Sequence, residues 1–179
     1  MKIAIDIGHA NGTGASGLFG ERQIAKQVAP MLAALLRNAG HHADVLDFPT
    51  MSNRADLSAT IAAINAGGYD LSVSLHCDDA DTPAARGAHV CYYSLKGYTC
   101  AIEVADRLCH LMPGRAEKVV RRKLDVLRKT NCPAILIEMG FTDNPGDAAK
   151  LCDPAFLARV VDAISEGIEF YLDNIARAG

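Results

Sequence analysis

The chain has 179 residues, half of them hydrophobic, which suits one folded domain with a sizeable core. A formal charge of -3 gives no basic surplus of the kind that draws a protein to nucleic acid, and no apolar run approaches the roughly 20 residues of a membrane span. No basic, apolar and small-residue order precedes the first predicted strand, so no secretory signal peptide is expected and synthesis is expected in the cytoplasm.

Ile3, Ile5 and Ile7 alternate with Ala4, Asp6 and Gly8, which predicts a short buried strand ending at Gly8-His9-Ala10-Asn11-Gly12. From Glu21 to Asn38 the residues Ile24, Val28, Met31, Leu32, Leu35 and Leu36 fall on one helical face; Gly40 is placed to end the helix, and Pro30 should kink it. Residues 43–48 read as a second strand. A helix capped by Asn53 should carry Leu57, Ile61 and Ile64 inward and stop at Gly67-Gly68. Residues 70–76 form a strand with Ser72, Ser74 and His76 on one face, and residues 88–93 another. A helix over 99–111 should bury Ile102, Ala105 and Leu108 or Cys109. The basic stretch 115–129 is ambiguous. Residues 133–138 are a buried strand ending at Gly140, and Asp153-Pro154 opens a last helix striped by Leu157, Val161, Ile164, Ile168, Tyr171 and Ile175. The six cysteines include no C-x-x-C pair and read as reduced, mostly buried thiols.

Strands alternating with helices imply a single α/β domain over 1–179: a mainly parallel, twisted sheet of about six strands with helices on both faces. In such a sheet strand ends and the starts of following helices share one rim. His9, Glu21, His76 and Glu138 would therefore converge there. Two imidazoles and a carboxylate are a catalytic zinc set, and a second carboxylate beside them suits a general base. On that chemistry His9, Glu21 and His76 are the candidate ligands of Zn2+ and Glu138 the candidate base. Each has a plainer reading alone: a hydrogen-bonded strand-end histidine, a glutamate favouring a helix dipole, a salt-bridged rim residue. Iron in a two-His-one-carboxylate site is not distinguished by ligand type.

The chain also resembles the zinc-dependent N-acetylmuramoyl-L-alanine amidases. Asp6-Ile7-Gly8-His9 matches the family's Asp-x-Gly-His, Gly20-Glu21 its helix-opening glutamate, Ser74-Leu75-His76 its Ser-x-His, and Glu138-Met139-Gly140-Phe141 with Asn144 its Glu-x-Gly-Phe and later Asn. Leu127-Arg128, Pro133 and Leu151 also fit. The resemblance implies cleavage of the amide between N-acetylmuramic acid and L-alanine of the peptidoglycan stem peptide, and so peptidoglycan as partner. With no signal peptide and no added wall-binding domain expected from the sequence, the chain resembles phage or prophage lysins, which would act on the wall once released or exported, or a truncated catalytic domain. Ile7 and Ala10 replace a usual Pro and Gly, and Cys77-Asp78-Asp79 stands where Ala-Asn-Ala is common. Asp6 suits a partner that orients a ligand imidazole, or simply a turn. Arg128 is the one cation of the basic stretch that fits the family pattern and is a candidate substrate contact. His41, His42, His89 and His110 read as structural.

Three other readings stand beside this one. Gly12, Gly14 and Gly17 form a literal G-x-G-x-x-G, the dinucleotide fingerprint, although the helical pattern begins only after Gly17. Cys77 with His76 suggests a thiol hydrolase, but adjacent strand residues face opposite ways. The third is a non-catalytic wall-binding or regulatory module with a degenerate site.

Overall fold

The computed structural model describes residues 1–178. Its sheet is built from β1 (Lys2–Ile7), β2 (His42–Leu46), β3 (Leu71–Asp78), β4 (His89–Tyr92), β5 (Val119–Arg121) and β6 (Ala134–Phe141), in the order β2-β1-β3-β6-β4-β5. Every pairing is parallel except β4 with β6. The exception has a local cause. Residues 79–88 contain no helix to carry the chain back across the sheet, so β4 starts on the rim where β3 ends. Helix α3 (Leu95–Leu111) does cross back, and β5 runs parallel to β4.

The two faces of the sheet are unequal. Ile3, Ile5, Val73, Leu75, Ile135 and Ile137 point to one face. There α1 (Glu21–Asn38), α3 and α6 (Pro154–Ala178) cover them with Ile24, Val28, Leu32, Leu108, Val161 and Ile164, in one continuous core. The other face carries α2 (Asn53–Gly67) and the short α4 (Asp125–Arg128). Its apolar part is a small cluster of Cys91, Val120, Val126, Leu127, Ala134 and Leu136. Beside that cluster the strands present Asp6, Ser72 and Ser74, all buried, and then His76. This polar strip carries the candidate site.

The strip also explains where the helix patterns depart from expectation. In α2 the buried residues are Asp56, Thr60 and Ile64, four apart, whereas Leu57 is 37% exposed and Ile61 only partly buried. The inward stripe is polar because the sheet beneath it is. Ser52, not Asn53, caps α2, its hydroxyl accepting from the Ala55 N–H at 3.4 Å. Helix α3 begins at Leu95 under a Ser94 cap, four residues before the expected start, and Ile102 lies on its exposed side. The ambiguous basic stretch resolves into β5 and α4, and α5 (Pro145–Leu151) starts at Asn144, whose Oδ1 accepts from the N–H groups of Gly146 and Asp147. Helix α1 runs unbroken through the exposed Pro30. In α6 the expected stripe is buried except Ile175 near its end. The cysteines are all free and four of them are buried. No described helix is long and apolar enough to cross a membrane.

Candidate metal centre and active site

Glu21, the first residue of α1, is 2% exposed and sits where the rim ends of β1 and β3 meet. Its Oε1 lies 2.7 Å from His76 Nδ1 and 3.5 Å from His9 Nε2. Its Oε2 accepts from the Ala15 N–H at 2.5 Å. Two glycines make this closeness possible. A Cβ on Gly14, whose φ is 103°, would lie 2.6 Å from Glu21 Oε2, and one on Gly8 would lie 2.1 Å from His76 Cε1. The glycine run thus packs against the site. Gly17 abuts the Thr142 carbonyl and precedes α1, so the last glycine is not inside a helix as the dinucleotide fingerprint requires.

Gly8→Ala is expected to push the His76 ring aside, and zinc affinity measured by competition with a chelator should fall at least about tenfold. Unchanged affinity would mean that the position of this ring is irrelevant to metal binding.

His9 occupies a left-handed backbone conformation, φ 59°, that turns it back over the rim. The Arg22 guanidinium, paired with Asp47, donates to the His9 carbonyl and holds that turn. Asn53 Nδ2 lies 3.0 Å from His9 Nδ1, leaving Nε2 as the nitrogen that faces Glu21.

His76 is fixed from behind. The Ser74 hydroxyl donates to Asp6 Oδ2 at 2.5 Å, so at 3.1 Å it accepts from His76 Nε2–H; Thr60 donates to Asp6 Oδ1 at 3.1 Å. With Nε2 protonated, Nδ1 either carries a second hydrogen that it donates to Glu21 Oε1 or, once that hydrogen leaves, offers a lone pair to an ion beside Glu21. Burial opposes charge on this imidazole, but the Glu21 hydrogen bond, aided by the charges of Glu138, Glu21 and Asp6, raises its pKa. Burial likewise opposes the Glu21 carboxylate and is outweighed by His76, His9 and the Ala15 N–H, so that pKa falls. Asp6 goes the other way: its burial exceeds what Ser74, His76 and Thr60 return.

The donor atoms of His9, Glu21 and His76 all lie within 4.8 Å of one another. Metal–ligand bonds of about 2.0–2.1 Å need donors about 3.3 Å apart, so two imidazoles and a buried carboxylate at these separations fit a four-coordinate divalent ion. The sequence-selected trio is therefore brought together, and Glu138 is near it. His76 and Glu138 are register partners on β3 and β6, and both line a cavity of about 290 Å³ shared with His9, Asn53, Asp56 and Leu124. Glu138 Oε2 is buried without a hydrogen-bond partner, and burial, with Asp78 and Glu21 nearby, lifts its pKa to about 7 against the pull of His76.

Arg128 lies on α4, exposed and paired with Asp125 at 2.8 Å; it is Asp125 that lines the cavity. Cys77 faces the core opposite His76, with its thiol pushed far up by burial, which removes the thiol-hydrolase alternative. The sequence reading gives Asn53 only the part of a helix cap and places neither it nor Asp56 and Thr60 at the site. Their signal is a polar stripe on a helix, visible only once the sheet face beneath it is known to be polar.

His89 is buried at 2% exposure with Nδ1 unpartnered. Burial, then Arg115 and Arg122, depress its pKa from 6.5 to about 4. The unfolded chain takes up this proton near pH 6.5 and the fold resists it until about pH 4. This residue's contribution to stability is therefore intact above 6.5 and lost as pH falls to 4, by up to about 3 kcal/mol. Glu138, with its raised pKa, works in the opposite sense, so the comparison with His89→Asn isolates the effect. Urea unfolding should show the wild type losing more stability than the variant between those pH values; parallel curves would contradict a neutral, buried His89.

An open α/β sheet with such a donor set beside a cavity at its carboxyl rim has the layout of a metal-dependent hydrolase. The sequence profile of the N-acetylmuramoyl-L-alanine amidases matches residues 3–170. The chain belongs to that family. The N-acetylmuramoyl-L-alanine amidase CwlM of Bacillus licheniformis is 31% identical over 176 residues, covering 94% of this chain and 67% of its own length. The probable cell wall amidase LytH of Staphylococcus epidermidis is 29% identical over 179 residues, covering 96% of this chain and 58% of its own. The chain thus spans about 58% to two thirds of the length of these curated relatives. Among solved structures, the catalytic domain of the CD27L endolysin targeting Clostridia Difficile superposes with a TM-score of 0.84 at 31% identity, over 95% of this chain and 97% of that one. The amidase AmiC2 of Nostoc punctiforme gives 0.84 at 25% identity, over 97% of each.

Proposed function

We propose that this chain hydrolyses the amide between the lactyl group of N-acetylmuramic acid and L-alanine of the stem peptide, with zinc held by His9, Glu21 and His76. The observation that carries the reading is the convergence of two imidazoles, a buried carboxylate and a second, unpaired carboxyl at one cavity in a chain of this family. Zinc bound there supplies a Lewis-acid charge that acidifies water and polarises a carbonyl. The rest of the chemistry belongs to the chain. Glu138, buried and near neutrality, takes a proton from the attacking water at a carboxyl oxygen and returns it to the leaving amine nitrogen as the C–N bond breaks. Ser74 and Asp6 hold the His76 ring and its tautomer. The cavity under α2 and α4 admits the substrate from the rim and keeps much of the reacting amide from bulk water.

The substrate then lies in the bacterial wall, and a lysin or a wall-remodelling enzyme is the matching role. Zinc-loaded protein incubated with purified peptidoglycan should release intact stem peptides with a free L-alanine amine, identified by mass, and leave the glycan strands whole. Cuts between sugars, or wall bound but uncut, would contradict the reading.

A further inference from the structure

Helix α2 brings three polar side chains to the cavity, those of Asn53, Asp56 and Thr60. Two of them are engaged within the chain. Asn53 Oδ1 accepts from the Ala10 N–H at 3.3 Å while its Nδ2 reaches His9, and the Thr60 hydroxyl donates to Asp6. Asp56 is left over. It is 4% exposed, and its Oδ1 is buried with no hydrogen-bond partner among the described residues. The cation that pulls on it, Arg22, is already bonded to Asp47 and to the His9 carbonyl. Burial, with Asp6 and Asp47 nearby, therefore lifts its pKa to about 6, and at neutral pH it is still a charged acceptor. A buried carboxyl without a donor is unfavourable, and one that lines a cavity suits a donor brought by a guest.

The rest of the cavity says what kind of guest. Leu57, Leu124 and Leu136 give it apolar walls. Its other aspartates are occupied, Asp6 by Thr60 and Ser74, Asp125 by Arg128 and Lys129. Asp6, Asp56, Asp125 and Glu138 all line it, and among the described residues that do so none is Lys or Arg. A guest carrying a carboxylate meets like charge there and leaves Asp56 unpaired, whereas an uncharged N–H supplies the missing donor. A muramoyl peptide offers such a group on either side of the scissile amide. One is the acetamido group of the sugar; the other is the α-carboxyl group of the second stem residue when it is amidated. Both are carboxamides.

We propose that Asp56 is a specificity-determining residue: its carboxyl accepts a hydrogen bond from an uncharged carboxamide N–H of the muramoyl peptide lodged between α2 and α4. A substrate with that N–H is taken, and one with a carboxylate or an ester oxygen in its place is turned away. The proposal rests on the amidase reading above and deepens it by naming the chemistry the cavity selects.

The test compares zinc-loaded wild type, Asp56→Asn and Asp56→Ala on three soluble substrates, with kcat, KM, zinc content and melting temperature measured. The parent substrate is N-acetylmuramoyl-L-alanyl-D-isoglutamine. The second carries D-glutamate with its free α-carboxylate, and the third has an acetate ester in place of the acetamido group. Wild type should lose at least about tenfold in kcat/KM on one altered substrate: the carboxylate if the stem's carboxamide is the guest, the ester if the sugar's is. In Asp56→Ala that ratio should shrink to within about twofold, because the rate on the parent falls while the altered substrate is spared. Asp56→Asn should regain the altered substrate, since its Nδ2 can donate to the oxygen that replaced the guest's N–H. A wild type that treats all three alike overturns the proposal. So does a preference that survives in both variants, or a loss by the same factor on all three substrates, which marks a packing role. Should the Ala variant fail to fold, the Asn variant decides alone. These results leave the amidase reading standing, whereas a wild type that cuts none of the three substrates overturns both.

Discussion

Glu138→Gln should bind zinc as the wild type does and lose about 10² to 10⁴ in the rate of stem-peptide release. The side chain is nearly isosteric, so the loss would not reflect collapse of the cavity that Glu138 lines. What the substitution removes is a group able to accept a proton. In the folded chain that group sits near neutrality, because burial raises it to about 7 while His76 restrains the rise. The amide is neutral, so it removes the cost of burying a charge at a site where Oε2 has no partner, and the variant should fold about as well as the parent. Retention of activity within a few fold would move the base to another residue; loss of zinc along with activity would make Glu138 a ligand.

His76→Ala should lose both metal and activity. This imidazole is the best-held of the trio, with Glu21 at 2.7 Å on one nitrogen and Ser74 at 3.1 Å on the other. Removing it leaves a two-ligand remnant, and zinc affinity should fall well beyond the roughly 10- to 100-fold typical of losing an outer partner. It also strips Glu21 of its nearest partner, and a carboxylate 2% exposed tolerates that poorly. Thermal unfolding should therefore show a lower melting temperature even without metal. Wild-type zinc content in this variant would mean that the ion is held elsewhere.

Much of the architecture could be read from residue order. β1 announces itself by the alternation of Ile3, Ile5 and Ile7, and α1 and α6 by their apolar stripes, because a single covered face imposes a period on the chain. β5 is three residues long and α4 four, too short for any period, and they lay hidden in the basic stretch. The reversal of β4 is written in no strand residue; it follows from the missing crossover helix between Asp78 and His89. The inward side of α2 went unseen for a different reason: apolar residues were expected to face the sheet, and this half of the sheet is polar.

The rim argument placed His9, Glu21, His76 and Glu138 together before any coordinates, since strand ends and helix starts of a parallel sheet share an edge. Their supports were harder to see. Ser74 reaches Asp6 across 68 residues, Asn53 reaches His9 across 44 and Thr60 reaches Asp6 across 54. Such hydrogen bonds leave no local pattern. His89 was legible as a strand residue but not as the neighbour of Glu138, because that pairing depends on the antiparallel register of β4 with β6.

Anomalous diffraction at the zinc edge from crystals of the zinc-loaded protein tests the central claim most directly. One strong peak bonded to His9 Nε2, Glu21 and His76 Nδ1, with its open side towards Glu138, is the predicted result. A fully occupied zinc bound away from these three residues, or their side chains remaining apart with zinc present, would contradict it.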